Sequence, residues 1–156
     1  MRDITRVIYA SDFSPASLVA FPHALRIAKA TGAELTILTV LPSPVALFID
    51  GGYVPQNVWD ELYRGARAQA DKEMDALLGE AVKAGVHVTT SIVEGTSPAD
   101  DIVHTAGNLK ADLLVLGTHG RTGVARFFLG SVAARVVATA PCPVLTVRAE
   151  ANGEQP

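Results

Sequence analysis

One cysteine, Cys142, is all that 156 residues contain, so no internal disulfide can form and no Cys/His cluster has metal-ligand spacing. Basic residues are sparse as well. Thirteen Lys and Arg against 16 Asp and Glu leave a formal net charge of −3, and no basic run exceeds two residues. That balance gives no reason to expect duplex nucleic acid or an anionic membrane as partner. No apolar stretch approaches the ~18 residues of a membrane span. The opening Met1-Arg2-Asp3-Ile4-Thr5-Arg6 lacks the apolar core of a secretion signal, and a cytoplasmic location is expected. Two common nucleotide motifs are missing too. A P-loop needs Gly-Lys, a pair that does not occur, and the Gly-x-Gly-x2-Gly fingerprint is absent after the first strand, where Ser11-Asp12-Phe13-Ser14 stands.

What is present is a large apolar fraction, 49%, enough for one domain with a proper core. Five short apolar runs read as strands: Arg6–Ser11, Glu34–Leu41, Val86–Val93, Asp112–Thr118 and Pro143–Arg148. Their nearly continuous apolar character fits strands covered on both faces. Four helix-like segments alternate with them. The first repeats Leu18, Phe21, Leu25 and Ala28 at helical spacing, and Pro22 inside it predicts a kink. The second carries Leu62, Ala66, Ala70, Met74, Leu77 and Ala81 on one face; the third, Ile102, Val103, Ala106 and Leu109. Ser14-Pro15 and Ser97-Pro98 read as N-caps followed by proline at the first helical position. Gly32 and Gly85 stand where helices must stop. Strands alternating with helices imply a parallel sheet with right-handed crossovers, so the expected fold is a single α/β doubly wound domain over residues 1–148. Pro42–Val58 is an irregular connection long enough to be functional, and residues 149–156 form a polar tail expected to be disordered.

The most informative stretch follows the fourth strand. Gly117-Thr118-His119-Gly120 is followed, nine residues on, by Gly130-Ser131 at the start of the last helix. A strand, a Gly-rich loop and a Ser-opened helix are the parts of a phosphate cradle, because the first amides of a helix lack internal partners and carry the positive end of its dipole. Ligands of open parallel sheets sit beyond the C-terminal strand ends. If the first and fourth strands are neighbours, Asp12 and this loop face one crevice, an arrangement that suits a nucleotide. Each residue also has a plain structural reading. Asp12 binds ligand or makes an Asx-type turn into the capped helix. His119 donates to phosphate or decorates a turn; Arg121 and Arg126 neutralise phosphate charge or are simply solvated. Ser131 is a phosphate ligand, an N-cap, or both, and Val40 offers backbone groups to a purine edge or is core. Gly123 serves the turn. Cys142 reads as a small buried residue, Ser97 as a cap, and His23, His87 and His104 as structural or surface histidines. Trp59 and Tyr53 pack over the crevice or over the second helix.

From Ile8-Tyr9-Ala10-Ser11-Asp12 to Pro143-Val144-Leu145-Thr146-Val147 the chain resembles the universal stress proteins, the UspA-like family of the adenine-nucleotide α-hydrolase-like group. The most specific part of the likeness is Gly117-Thr118-His119-Gly120-Arg121-Thr122-Gly123, continuing to Leu129-Gly130-Ser131-Val132-Ala133. The resemblance implies a five-stranded parallel sheet in the order 3-2-1-4-5 and, since every position of Gly-x2-Gly-x9-Gly-Ser/Thr is filled, the ATP-binding subgroup. It implies that Gly117, His119, Gly120, Gly130 and Ser131 line ribose and phosphates, with helix-start contacts from Val132 and Ala133. Ala10, Asp12, Val40 and Leu116 would frame the adenosine end; Ala10 stands where other members carry proline. Mg²⁺ or Mn²⁺ would be held mainly by the phosphates, and a homodimer would form through Pro143–Arg148. The leading functional expectation is an ATP-binding stress-response module. A slow ATPase or autophosphorylating protein, a nucleotide-free dimeric scaffold, and a binder of AMP or a cyclic nucleotide are the alternatives. No residue stands out as a general base.

Overall fold

The computed structural model describes residues 3–43, 54–119 and 129–149. Five strands form one sheet: β1 (Arg6–Ala10), β2 (Glu34–Pro42), β3 (Val88–Gly95), β4 (Leu113–Gly117) and β5 (Val144–Val147). The order is β3-β2-β1-β4-β5 and every pairing is parallel. Both the sheet order and the strand positions agree with expectation. The third strand starts two residues late because Val86 is held in the preceding turn, its amide reaching back to the Ala81 carbonyl at 3.1 Å.

Strand alternation sends each strand's side chains to two different cores. Val7, Tyr9, Leu35, Ile37, Leu113 and Val115 bury against helices α2 (Phe21–Thr31) and α3 (Gln56–Lys83). Ile8, Ala10, Leu38, Leu114 and Leu116 bury against α4 (Pro98–Asn108) and α5 (Ser131–Thr139). This two-sided burial explains why the central strands read as unbroken apolar runs.

The first helical segment is two helices rather than one kinked helix. A four-residue α1 (Pro15–Leu18) stops, and α2 restarts at Phe21 with Pro22 in its first turn. There a proline costs nothing, since the first-turn amides have no intrahelical acceptor. In α3, Ala70, Met74 and Ala81 are buried as expected, but Leu62 is 59% exposed and Trp59 is buried in its place. A strict i+4 series advances 400° per step, so it drifts ~40° each time around a helix of 3.6 residues per turn, and Leu62 has left the core face. The N-terminal half of α3 thus overhangs the sheet, tied to β3 by the Tyr63 hydroxyl donating to Glu94.

Three of the helices are followed by a residue in the left-handed conformation, two on glycine and one on lysine. Gly32 (φ +68°) and Gly85 (φ +78°) take the left-handed conformation after α2 and α3. Lys110 does the same after α4 at φ +51°, with the Ala111 amide reaching back to Ala106 at 2.9 Å. A side chain there is strained where glycine is not. Lys110→Gly is therefore expected to raise stability by roughly 0.5–1 kcal/mol, read as a higher urea midpoint with an unchanged slope; an unchanged or lower midpoint would contradict this account.

Candidate functional site

The chain leaves β1 for β2 on one side and comes to β4 on the other, so the C-terminal ends of β1 and β4 diverge at the switch of strand order. A cleft of about 810 Å³ opens there. Ala10, Asp12, Val40, Leu116, Gly117, His119, Gly130, Ser131, Val132 and Ala133 all line it. Gly120, Arg121, Gly123, Arg126 and Tyr53 lie outside the described residues.

On one wall, the N-terminus of α5 meets the end of β4. The Gly130 amide donates to the Thr118 carbonyl at 2.7 Å, and Gly130, not Ser131, is the N-cap. Ser131 is the first helical residue and gives α5 no side-chain cap. Its amide and those of Val132 and Ala133 open the helix, ahead of the first intrahelical bond from Ala134 to the Gly130 carbonyl at 2.8 Å. A Cβ on Gly130 would stand 3.0 Å from the Thr118 carbonyl oxygen. Gly117 is required by packing: a Cβ there would approach the Ala16 carbonyl oxygen to 2.6 Å and the Ser17 Cα to 2.9 Å. His119 pairs its Nδ1 with the Thr118 hydroxyl at 3.0 Å, while its buried Nε2 has no hydrogen-bond partner among the described residues. A buried ring nitrogen without a partner costs about 1–3 kcal/mol of desolvation.

The opposite wall is the turn from β1 into α1. The Ser14 hydroxyl donates to Asp12 Oδ1 at 2.6 Å, and the Ser14 amide donates to the same oxygen at 3.0 Å. Ser14 Oγ in turn accepts the Ser17 amide at 3.2 Å, capping α1 as the sequence predicts. The Ser17 hydroxyl donates to the Ser14 carbonyl at 3.0 Å. Ser11 Oγ and Ser17 Oγ share a hydrogen bond at 2.8 Å. Ser11 Oγ also accepts the Phe13 amide at 3.0 Å, across a residue held at φ +59°. Asp12 thus makes the Asx turn and also lines the cleft; the two readings are compatible.

The third wall is one that sequence reasoning missed. Gly65, Ala66, Gln69, Ala70 and Glu73 of α3 line the cleft, with Gln69 Nε2 donating to Glu73 Oε1 at 2.8 Å. Their i, i+4, i+8 spacing was visible, but only the sheet's geometry says which face overhangs the strand ends. Trp59 does not line the cleft; it is buried beside Tyr63, ring centroids 6.3 Å apart. Ser97 caps α4 in the reverse sense. Its hydroxyl donates to Asp100 at 2.8 Å and the Asp101 carboxylate accepts its amide at 3.3 Å, while Arg135 of α5 forks onto Asp100 at 2.7 and 3.0 Å. His23 and His104 are exposed, His87 faces Glu34 at 3.9 Å on the surface, and Cys142 is half-buried with its thiol pushed up by burial.

Residues 3–148 match the model of the Universal stress protein family. The chain belongs to that family. Universal stress protein MJ0531 of Methanocaldococcus jannaschii is 36% identical over 143 residues, covering 92% of this chain and 81% of that protein. Among solved structures, universal stress protein UspA from Lactobacillus plantarum is 29% identical, superposes with a TM-score of 0.82, and is covered over its whole length by 95% of this chain. A universal stress protein solved in complex with cAMP is 31% identical, with a TM-score of 0.60 over 94% of this chain and 98% of that one. Among the described residues no helix is long and apolar enough to cross a membrane.

Beneath the cleft, Tyr9 is fully buried and its hydroxyl donates to the Ser17 carbonyl at 3.1 Å. Burial, which disfavours the phenolate, pushes its pKa up to about 12. An unfolded tyrosine titrates near ~10, so above that pH the unfolded chain releases a proton that the folded one keeps. The stability from this group is complete below about pH 10 and is lost as pH rises toward about 12. The urea midpoint of the protein should fall across that window, and Tyr9→Phe should flatten part of the fall while lowering the neutral-pH stability by about 1 kcal/mol. Identical slopes for the two proteins would show that Tyr9 does not titrate this way.

Proposed function

We propose that this universal stress protein binds an adenine nucleotide in the cleft between β1 and β4, and that ATP is the ligand to which a regulatory response is tied. The observation that carries the reading is the N-terminus of α5, whose first residues Ser131, Val132 and Ala133 line the cleft together with His119. A phosphate supplies acceptors to both, and the helix dipole favours its charge. In this reading Gly117, His119, Gly120, Arg121, Gly130, Ser131, Val132 and Ala133 hold ribose and phosphates. Ala10, Asp12, Val40 and Leu116 frame the adenosine, with the Asp12 carboxylate accepting from ribose hydroxyls. A Mg²⁺ or Mn²⁺ ion would be held by the phosphates and would offset their charge.

The relative solved with cAMP supports the coarser claim of an adenine-nucleotide site and makes cAMP the rival ligand. The α5 amides can donate to a single phosphate as readily as to the first of three, so the ligand is decided by measurement. We further propose a homodimer through residues 143–148, because β5 is an edge strand with no neighbour on its outer side among the described residues.

Native mass spectrometry of the purified protein, followed by titration with ATP, AMP and cAMP, tests both claims. The expected result is a dimer that binds ATP with Mg²⁺ more tightly than either monophosphate. Gly130→Val, which puts a branched side chain at the helix mouth, is expected to weaken ATP at least tenfold while the protein still folds, its melting temperature lowered because the new Cβ stands 3.0 Å from the Thr118 carbonyl oxygen. Equal affinity in that variant would overturn the proposed cradle, and tighter cAMP than ATP would reassign the ligand.

A further inference from the structure

Asp12 is held by its neighbours more closely than a surface carboxylate needs to be. Both donors of Ser14, amide and hydroxyl, converge on one oxygen, Oδ1, at 3.0 and 2.6 Å. Two donors from one residue fix the plane of a carboxylate as well as its position. Ser14 is itself buried, and its Oγ is fixed from the other side by the Ser17 amide at 3.2 Å. The backbone between is equally constrained: Phe13 is kept at φ +59°, a conformation its side chain disfavours, with its amide bonded to the buried Ser11 hydroxyl. The hydroxyls of Ser11, Ser14 and Ser17 are linked to one another and to the backbone around them, and in this network Asp12 is an acceptor.

We propose that Ser14 is a positioning residue that presents Asp12 to the sugar of the bound nucleotide, and so sets the preference of the cleft for a ribose over a sugar lacking its hydroxyls. The inference rests on the nucleotide reading above and goes beyond it by naming the group that makes Asp12 discriminate. An ionised carboxylate recognises donors, and the vicinal hydroxyls of ribose are the donors a nucleotide offers at its centre. Discrimination by such a group depends on geometry, because a carboxylate free to rotate can meet water as well as it meets a diol.

The test compares ATP with 2′,3′-dideoxy-ATP on three proteins by calorimetric titration. The native protein is expected to prefer ATP at least tenfold. Ser14→Gly deletes the hydroxyl while leaving the backbone amide, and glycine is tolerated at an N-cap, so the variant is expected to fold. It should bind ATP about tenfold more weakly, change dideoxy-ATP by less than twofold, and lose most of the preference. Ser14→Thr, which keeps a hydroxyl on the same carbon, should restore it. A Ser14→Gly protein that weakens both ligands equally, or that keeps the native preference, overturns the positioning role and leaves the nucleotide site standing. A native protein that binds neither ligand overturns the nucleotide reading itself, and this inference with it.

Discussion

The pairing of β1 with β4 is the constraint on which the rest depends. The two strands bring together segments 106 positions apart, at Arg6 and Asp112, and each is buried on both faces. At the bottom of the pair the Asp112 carboxylate accepts the Thr5 and Arg6 amides at 3.0 Å each and the Thr5 hydroxyl at 2.7 Å. Those bonds hold its carboxyl below the usual range, the Thr5 hydroxyl contributing most. At the top no such tie is present among the described residues, and the helices that follow β1 and β4, α2 and α5, pack on opposite faces of the sheet. The cleft is the space that this divergence creates. Gly117 then lets α1 close on β4 to within backbone contact, so the wall bearing Asp12 and the wall bearing α5 are referenced to the same two strands.

Much of this was legible in the chain. The strands could be read because two-sided burial forces continuous apolar runs, and helix stops could be read because Gly32 and Gly85 take a conformation that other residues resist. Lys110 escaped the same reading, since nothing in its chemistry announces a left-handed turn. Pro22 reads as a kink, yet a proline that would kink a helix interior is harmless in a first turn, and only the break after α1 makes its position a first turn. Leu62 reads as a core residue, yet an i+4 stripe drifts off a helix face within a few turns.

For the cleft, the glycine spacing and Asp12 were visible, while the reasons for them were not. Gly117 reads in sequence as a loop residue near a ligand, yet its absent Cβ is explained by the backbone of Ala16 and Ser17. Ser131 reads as a cap, yet Gly130 occupies that position and leaves the Ser131 hydroxyl outside the capping scheme. The α3 wall was invisible for a different reason. Its small and polar residues carry no motif, and their role follows from a helix of 28 residues that outruns the sheet beneath it.

The two walls nearest the strand ends also differ in how completely their polar groups are satisfied, and the difference has functional meaning. On the Asp12 side the serine hydroxyls are hydrogen-bonded inside the protein, which fixes geometry before any ligand arrives. On the α5 side the helix-opening amides and His119 Nε2 lack such partners among the described residues, which leaves free energy to be gained when a ligand supplies them. In the proposed nucleotide site, affinity should therefore come mainly from the α5 wall, whose groups would gain bonds on binding. Selectivity should come from the carboxylate wall, whose groups only exchange or refuse them. This division follows from the fold: a helix N-terminus cannot satisfy its own amides, whereas a strand-to-helix turn rich in serine can satisfy nearly all of its polar atoms.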